Sequence, residues 1–544
     1  MKNLDVEKHV RGESLFIDDL VLPQGVLYAS VVDSKVAHAR IISIDIERAK
    51  KVDGVAGVFT ANDIEGENQI GGIVQDEKLL AEYEVSYIGQ PIVLIVAESE
   101  KILRIAKNKV EIDYELLDNV SDPRDAFKRN HLIIPPKIFS SGNVDEAWSK
   151  CEFIVEGKVE SGGQEHIYLE TQGAIALPRE GNSIKIYSAT QNPTAVQRVT
   201  ADVLKLEMNQ VEVDVLRLGG AFGGKEDQAT HWAVLAALGT HKLKRAVKLV
   251  LSRMDDIRMT GKRHPYSSDF KIGLSSDGKI IALEVSYFQN AGACADLSPA
   301  ILERTLFHAT NSYFIPNVKA IGYSCKTNLP PNTAFRGFGA PQAMFVIESA
   351  IFKAAEKMNL TPHIIQQRNL IKEGENFYYG QKVINCNVSR CWEIAEEKFK
   401  FNELIDNVNT FNSNNQLMKK GIAFMPICFG ISFTNSSLNQ ASALVHIYTD
   451  GSVCISTAAV EMGQGVNTKI IRSASKVLSI NTNRIRVETT NTTRIANTSA
   501  TAASSGADLN GNATIIACRN ILEKLFDFIK TEMKLSDNSK IEIK

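Results

Sequence analysis

The distribution of apolar and polar positions predicts strands and helices in roughly equal measure. The continuous apolar run from Pro91 to Ala97 predicts a buried strand, residues 98–110 have the period of a helix, and residues 111–114 predict a second strand. Further on, residues 211–215 alternate as a strand does, and residues 232–238 predict a buried helix. The pattern therefore predicts a β-α-β unit near the N-terminus and a larger mixed region after it.

The predicted strand 211–215 and the helix after it are joined by Gly-Gly-Ala-Phe-Gly-Gly-Lys-Glu at 219–226. Glycine adds no packing area and costs backbone entropy, so four glycines in six positions indicate unusual conformations or close approach to a ligand. The stretch satisfies the phosphate-loop pattern up to Lys225, but Glu226 stands where Ser or Thr should hold Mg²⁺. A nucleotide site is therefore disfavoured, and a tight turn without a ligand remains open.

An internal repeat follows this region. Residues 203–213 match residues 477–487 at most apolar positions, and each copy predicts the end of a helix and the start of a strand. A glutamine precedes each helix, Gln191 and Gln464, and a loop of small residues follows each strand. Two related lobes of this kind suggest a cofactor held between them, although chance similarity over eleven residues remains an alternative.

Shifts in composition divide the 544 residues into five parts. Residues 6–118 predict an α/β domain, and the polar, proline-bearing residues 119–142 predict a linker. Residues 143–400 predict the first lobe, the asparagine-rich residues 401–420 a connection, and residues 421–544 the second lobe. The expected fold class is therefore α+β, with one α/β domain followed by two related lobes.

Composition and charge restrict the possible partners. A net charge of −2 provides no general field for nucleic acid or for an anionic membrane. No apolar run reaches the roughly 18 residues of a membrane span, and the N-terminus lacks a signal-peptide core, so we expect a cytoplasmic protein. The eight cysteines include no C-x-x-C pair, which predicts reduced thiols rather than a zinc or iron–sulfur site.

Several polar side chains lie in apolar or glycine-rich surroundings, where burial requires a partner. Glu226 ends the glycine stretch, and Arg304 lies in an apolar segment that could also be a solvated helix surface. Arg336 lies between Phe335 and Phe338, where its planar donor fork would suit an anionic or oxo-rich ligand. The two phenylalanines could enclose a flat ring or simply pack in the core.

Gln464 stands between Gly463 and Gly465, where its amide can both donate and accept hydrogen bonds. Capping of the next helix is the alternative role for these polar groups.

Three motifs, at 219–226, 332–339 and 461–465, together resemble the molybdenum hydroxylase family, and especially its xanthine dehydrogenase group. The resemblance covers nearly the whole chain, from residues 12–14 through 162–166 to 507–511. It implies an α/β hammerhead domain at 6–118 and two α+β molybdopterin-binding lobes, the second incomplete.

The resemblance also implies roles for individual residues. It places four residues around the molybdenum, Gln191, Phe222, Arg336 and Ala503, and three along the pterin, Gly223, Ala502 and Gln464. It makes Glu226 and Arg304 the pair that binds the polar edge of a purine. The walls of the substrate slot would be Phe338, Phe433 and Thr434. Aldehyde oxidases generally lack the Glu/Arg pair, so its presence favours hypoxanthine or xanthine as substrate.

The implied reaction hydroxylates the purine to urate with oxygen from water, while hydride passes to the metal centre and Arg304 stabilises the charge on the ring. Electrons would leave through iron–sulfur clusters and FAD to NAD. Because the chain has no cysteine pattern for clusters, those carriers are expected on partner subunits of a hetero-oligomer.

The chain departs from the family in one important respect. The family's general base is a glutamate in Gly-Glu-Pro, and that tripeptide is absent from the 544 residues. The sequence ends shortly after a predicted amphipathic helix at 515–535, so we expect a truncated subunit that is inactive alone. A non-catalytic module that binds cofactor or partners is the main alternative, and a P-loop-like nucleotide-binding enzyme is the weaker one.

Overall fold

A computed structural model of the protein describes residues 3–534. Residues 535–544 of the predicted second lobe, the first of which is the last residue of the helix predicted at 515–535, lie outside the described part. The strands are β1 (Leu27–Asp33), β2 (Ala39–Asp45), β3 (Val55–Phe59), β4 (Glu84–Val85), β5 (Pro91–Ala97), β6 (Glu111–Leu116), β7 (Lys137–Ser141), β8 (Phe153–Ser161), β9 (Gly173–Pro178), β10 (Ile184–Ser188), β11 (Val211–Val215), β12 (Val247–Val250), β13 (Tyr266–Leu274), β14 (Ile280–Gly292), β15 (Asn317–Lys326), β16 (Ala443–Ile447), β17 (Val453–Thr457), β18 (Ile485–Val487) and β19 (Thr490–Asn491).

The helices are α1 (Val6–Val10), α2 (Glu47–Lys50), α3 (Glu100–Lys107), α4 (Pro123–Lys128), α5 (Val144–Ala147), α6 (Pro193–Leu204), α7 (Gln228–Leu243), α8 (Arg253–Met259), α9 (Ser298–Phe307), α10 (Ala340–Met358), α11 (Pro362–Arg368), α12 (Val388–Phe399), α13 (Phe401–Asn414), α14 (Val466–Leu478) and α15 (Gly506–Glu532).

The largest sheet has eight strands in the order β19-β11-β10-β9-β12-β1-β5-β3. It combines strands of the expected hammerhead domain with strands of both lobes, since β1 runs parallel to β12 and β19 pairs antiparallel with β11. All seven residues of β5 are buried, because one face packs in the core that contains α7 and the other in the core that contains α3. The hammerhead region is thus joined to the first lobe through a continuous sheet.

A second sheet has the order β7-β15-β14-β13-β8. Its first strand, β7, lies in the segment predicted as a linker, and it pairs antiparallel with β15. The prolines and polar residues of that segment indicated irregular chain, but they also permit a short helix and an edge strand. The predicted connection at 401–420 likewise begins with helix α13.

The sequence repeat corresponds to two β-α-β units. Strands β10 and β11 are parallel across α6, and β17 and β18 are parallel across α14. Each helix ends at a residue in the left-handed conformation, Lys205 and Ser479. Gln191 and Gln464 each lie in the loop between strand and helix, so the two glutamines occupy equivalent places.

The remaining sheets are β16-β17-β18 in the second lobe and β4-β2-β6 near the N-terminus. Between residues 3 and 534, no helix combines the length and the hydropathy needed to span a bilayer.

Candidate cofactor and substrate site

Gln191 joins the two lobes. Its side-chain oxygen accepts a hydrogen bond from the Gly223 N–H at 3.0 Å, and its amide nitrogen donates to the Thr501 carbonyl at 3.0 Å. The Thr501 N–H in turn donates to the Gln191 carbonyl at 3.0 Å. One buried side chain therefore holds the glycine stretch of the first lobe against the small-residue loop of the second.

The glycine stretch also presses against the loop that carries Arg336. Gly223 has φ +102°, and a Cβ there would lie 2.8 Å from the Ala334 carbonyl oxygen. The Arg336 N–H donates to the Phe222 carbonyl at 2.8 Å, and Phe222 itself has φ 55°. Only glycine permits this approach at 223, so the sequence motif has a steric cause.

Lys225 is fully buried rather than directed to a ligand. Its Nζ donates to the Glu170 carboxylate at 3.0 Å, and the same oxygen accepts from the Gly219 N–H at 2.9 Å. Burial lowers the pKa of Lys225, while Glu170 raises it. Lys225 is therefore not available to bind a phosphate group, as the lysine of a phosphate loop must be. Glu170 was not predicted from the sequence, because its only signal is that Lys225, a buried lysine, needs a charged partner.

The loop after β19 presents backbone donors. Ala503 and Ser504 have φ values of 54° and 58°. Among the described residues, the N–H groups of Ala502, Ala503 and Ser504 have no acceptor. Successive free N–H groups of a turn form a concave site for an anion, so the loop that contains Ala502 and Ala503 has donors available for an anionic ligand; their contact with a cofactor stays a prediction.

Gln464 has local partners in this structure. Its side-chain oxygen accepts from the Met462 N–H at 2.7 Å, and its amide donates to the Val460 carbonyl at 2.8 Å. The Val460 N–H also donates to the Thr501 hydroxyl at 2.9 Å. This bond connects the turn to the contact between the two lobes at Gln191, Gly223 and Thr501, which we call the seam. These bonds lie before helix α14 and do not cap it, whereas Glu461 accepts from the Asn467 N–H of its first turn at 3.1 Å. The pterin contact of Gln464 stays a prediction.

Arg336 is exposed, and its guanidinium has no partner among the described residues. Its neighbour Phe335 packs on His166, with 4.4 Å between ring centroids, and lies 4.0 Å from the guanidinium carbon of Arg263. Phe338 packs with a small apolar cluster that includes Ile301. Phe335 thus supports the loop from behind, and the free fork of Arg336 can bind an anion.

Arg304 is buried, with only 7% of its surface exposed. Its two terminal nitrogens donate to the carbonyls of Gly430 and Ser432. Burial lowers the pKa of Arg304. Arg304 therefore holds the segment that leads to Phe433 and Thr434, and between residues 3 and 534 it forms no ion pair with Glu226.

Glu226 is 5% exposed, and its carboxyl group has no hydrogen-bond partner in the described part of the chain. Burial raises the pKa of Glu226 well above its usual range, and the nearby Asp227 and Asp296 raise it further. The raised pKa favours the protonated carboxyl group, which can donate one hydrogen bond and accept others.

The arrangement fits a large polar cofactor that brings its own metal. The loops that carry Gly223, Arg336 and residues 502–504 are joined through Gln191 and the Phe222 carbonyl, and they offer unpaired backbone N–H groups and a cation without a partner among the described residues. Within the described ranges, no group of three His, Cys, Asp or Glu side chains could hold a metal ion. A metal here would therefore depend on ligands from the cofactor.

Comparison with known proteins identifies this architecture. Residues 127–370 and 394–544 match the molybdopterin cofactor-binding domain, and residues 11–118 match the aldehyde oxidase and xanthine dehydrogenase a/b hammerhead domain. The chain therefore belongs to the molybdenum hydroxylase family of oxidoreductases, and the predicted fold class of a hammerhead followed by two molybdopterin-binding regions is confirmed.

Individual relatives are similar over almost the whole chain. Xanthine dehydrogenase of Dictyostelium discoideum is 38% identical over 96% of this chain and 38% of its own length. Xanthine dehydrogenase/oxidase of Mus musculus is 40% identical over 97% of this chain and 40% of its own length. Aldehyde oxidase 2 of Macaca fascicularis is also 40% identical, over 97% of this chain and 39% of its own length. The chain thus spans about two fifths of these relatives.

Solved structures share the fold. Quinoline 2-oxidoreductase from Pseudomonas putida 86 superposes with a TM-score of 0.88 at 22% identity, over 98% of this chain and 72% of that one. Carbon monoxide dehydrogenase from Oligotropha carboxidovorans gives 0.87 at 23% identity with the same coverage. Since these proteins have different names and substrates, the fold alone does not choose the substrate.

Proposed function

We propose that this chain is the molybdenum-cofactor-binding part of a cytoplasmic xanthine dehydrogenase that converts hypoxanthine and xanthine to urate. Two of the three relatives named above, at 38% and 40% identity, are called xanthine dehydrogenases, which supports this class, while the third is called an aldehyde oxidase. The observation that carries the choice of a purine is Glu226, a buried carboxyl group with a raised pKa and without a partner among the described residues, at the end of the glycine stretch. A substrate with ring nitrogens and carbonyls would give that group the hydrogen bonds it lacks.

The residues at the seam would hold the cofactor. Gln191, Phe222, Arg336 and Ala503 would surround the molybdenum, while Gly223, Ala502 and Gln464 would line the pterin. The Arg336 guanidinium and the free N–H groups of Ala502 and Ala503 provide positive ends for anionic or oxo groups. When bound, the cofactor supplies oxygen derived from water and accepts two electrons from the substrate.

The substrate would lie beside Glu226, with Phe338 and Phe433 against its flat faces and Thr434 at the edge. The Glu226 carboxyl group, whose protonated form is favoured by burial, would donate a hydrogen bond to a ring nitrogen or carbonyl, and it can accept one from a ring N–H. The buried positive charge of Arg304 stabilises the negative charge that develops on the ring. In this arrangement Arg304 acts while its two terminal nitrogens still hold the segment before Phe433.

The electrons would leave through 2Fe–2S clusters and FAD on partner subunits, with NAD as the acceptor. All eight cysteines of this chain are free thiols, and in the described part they form no metal-binding group. In this proposal the clusters and FAD lie outside these 544 residues, on partner subunits of a hetero-oligomer.

The test is to purify the protein with its native partners and to measure molybdenum content and xanthine-dependent dye reduction. We expect molybdenum to be bound, and Glu226→Val to lower kcat/KM for xanthine by roughly 10- to 100-fold, because one buried hydrogen bond is lost. Molybdenum content should not change. Glu180→Gln, an exposed acidic position, is the control.

Three results would separate the alternatives. Molybdenum without turnover would support the non-catalytic cofactor-binding module. Turnover of aldehydes with unchanged xanthine kinetics in Glu226→Val would contradict the purine assignment. Absence of both molybdenum and turnover in the unmodified assembly would refute the proposal.

A further inference from the structure

Residues 426–434, which belong to no helix or strand, form a segment that we call the strap, and it lies along the end of α9 and the turn after it. Asn311 holds its first part: the side-chain nitrogen donates to the Pro426 carbonyl at 2.7 Å, and the side-chain oxygen accepts from the Cys428 N–H at 3.1 Å. One amide thus binds two alternate residues of the strap as a neighbouring strand would.

His308 and Arg304 continue the same row. His308 Nε2 accepts from the Gly430 N–H at 3.1 Å, and Arg304 donates to the Gly430 and Ser432 carbonyls. Because His308 Nδ1 lies 2.8 Å from the Arg304 carbonyl, it donates there, which leaves Nε2 as the acceptor. A Cβ at Gly430 would lie 3.1 Å from the Arg304 guanidinium, so the strap fits closely.

Apolar packing contributes little to holding the strap. Ile427, Phe429 and Ile431 are 63%, 39% and 53% exposed, and the ring contact of Phe429, at 5.5 Å between centroids, is with His308 itself. The side chains that usually anchor an extended segment are thus partly in solvent, whereas the backbone groups of the alternate residues meet Asn311, His308 and Arg304. The position of the strap is therefore set mainly by these three polar side chains.

The far end of the strap leads into the proposed substrate slot. The Ser432 N–H donates to the Ala503 carbonyl at 2.8 Å, which joins the strap to the cofactor loop. Phe433 follows, and its N–H and carbonyl are both bound by the Asn439 side chain, at 2.9 and 3.0 Å. A shift of the strap at Gly430 would consequently be passed to Phe433 and Thr434.

We propose that His308 and Asn311 are positioning residues that fix the strap, and with it the slot walls Phe433 and Thr434, against the cofactor loop. The inference rests on the proposed function, because the slot walls are assigned there. Neither side chain touches the substrate in this arrangement, so both act through the backbone of the strap.

The test compares His308→Ala and Asn311→Ala with the conservative His308→Gln, which retains an acceptor for Gly430, and with His131→Ala, an exposed control. Hydrogen exchange of the purified assembly is the first readout. We expect the amides of Cys428 and Gly430 to exchange roughly five- to tenfold faster when their acceptor is removed. Phe433 should also exchange faster, and His308→Gln should restore most of the protection.

Steady-state kinetics with xanthine are the second readout. We expect both alanine variants to raise KM on the order of tenfold, with kcat changed about twofold or less and with unchanged molybdenum content, since ground-state placement is affected more than chemistry. Unchanged exchange at Cys428 and Gly430 would overturn the inference, and so would faster exchange there without any change at Phe433. If no variant, and not even the unmodified assembly, oxidises xanthine, the proposed function fails, and the Phe433 amide still decides the positioning role.

Discussion

Replacement of Gly223 by alanine would test whether close backbone contact, rather than backbone flexibility, explains the glycine stretch. The added Cβ would lie 2.8 Å from the Ala334 carbonyl oxygen and 2.9 Å from its carbon, and φ at this position is +102°. Gly463 provides a matched control, because its φ is +106° and nothing lies within 4 Å of its Cβ position. The two substitutions share the conformational strain, but only Gly223→Ala adds the contact.

The magnitudes follow from these two terms. A non-glycine residue in such a conformation costs about 1–3 kcal/mol, so the opening free energy of both variants should fall by this amount. Insertion of a methyl group against fixed backbone costs about 1–3 kcal/mol more, and this further fall is expected only in Gly223→Ala. A difference of about 2 kcal/mol corresponds to a roughly 30-fold larger opening constant.

Native-state hydrogen exchange can measure the difference, because each glycine loop is followed by a helix that reports on it, α7 for Gly223 and α14 for Gly463. We expect the opening free energy of α7 in Gly223→Ala to fall by about 2 kcal/mol more than that of α14 in Gly463→Ala. Equal losses in the two helices would show that strain alone explains the glycine, and the steric argument would be refuted.

Three further predictions concern charged groups of the site. Glu170→Gln should destabilise the protein by about 3–5 kcal/mol, because the buried charge of Lys225 loses its partner, and addition of Lys225→Met should recover most of the loss; additive losses in thermal unfolding would contradict this. Since the native pKa of Glu226 is raised above its ordinary value of 4.5, the folded state binds more protons, so stability should fall as the pH rises from 4.5. Urea titrations from pH 4 to pH 9 should show a smaller fall in the stability of Glu226→Gln, by on the order of the contribution of one titrating proton. The same pH dependence in the variant and the unmodified protein would contradict this prediction. Arg336→Gln should change unfolding free energy by about 0.5 kcal/mol or less yet lower molybdenum content, whereas full metal retention would remove Arg336 from the cofactor site.

The sequence was sufficient for features that depend on neighbours along the chain. The apolar run of β5 predicts a buried strand, since every one of its side chains must avoid water wherever the strand is placed. The two β-α-β units were visible as a repeat because each copy must end a helix and begin a strand by the same local rules. The glycines could be proposed as site residues because four in six positions are unusual, and Gln191 because a glutamine recurs at the corresponding place of the repeat.

The partners of the site residues were decided only by the tertiary structure. Lys225 pairs with Glu170, and Arg304 binds the carbonyls of residues 430 and 432, more than a hundred positions away. Every residue has a backbone carbonyl, so a bond of this kind leaves no signature in the sequence. The linker segment became part of a sheet for the same reason, since edge pairing of β7 depends on the position of β15. Local pattern determined the elements and the unusual residues, and the approach of distant backbone determined which of those residues remain free to bind a ligand.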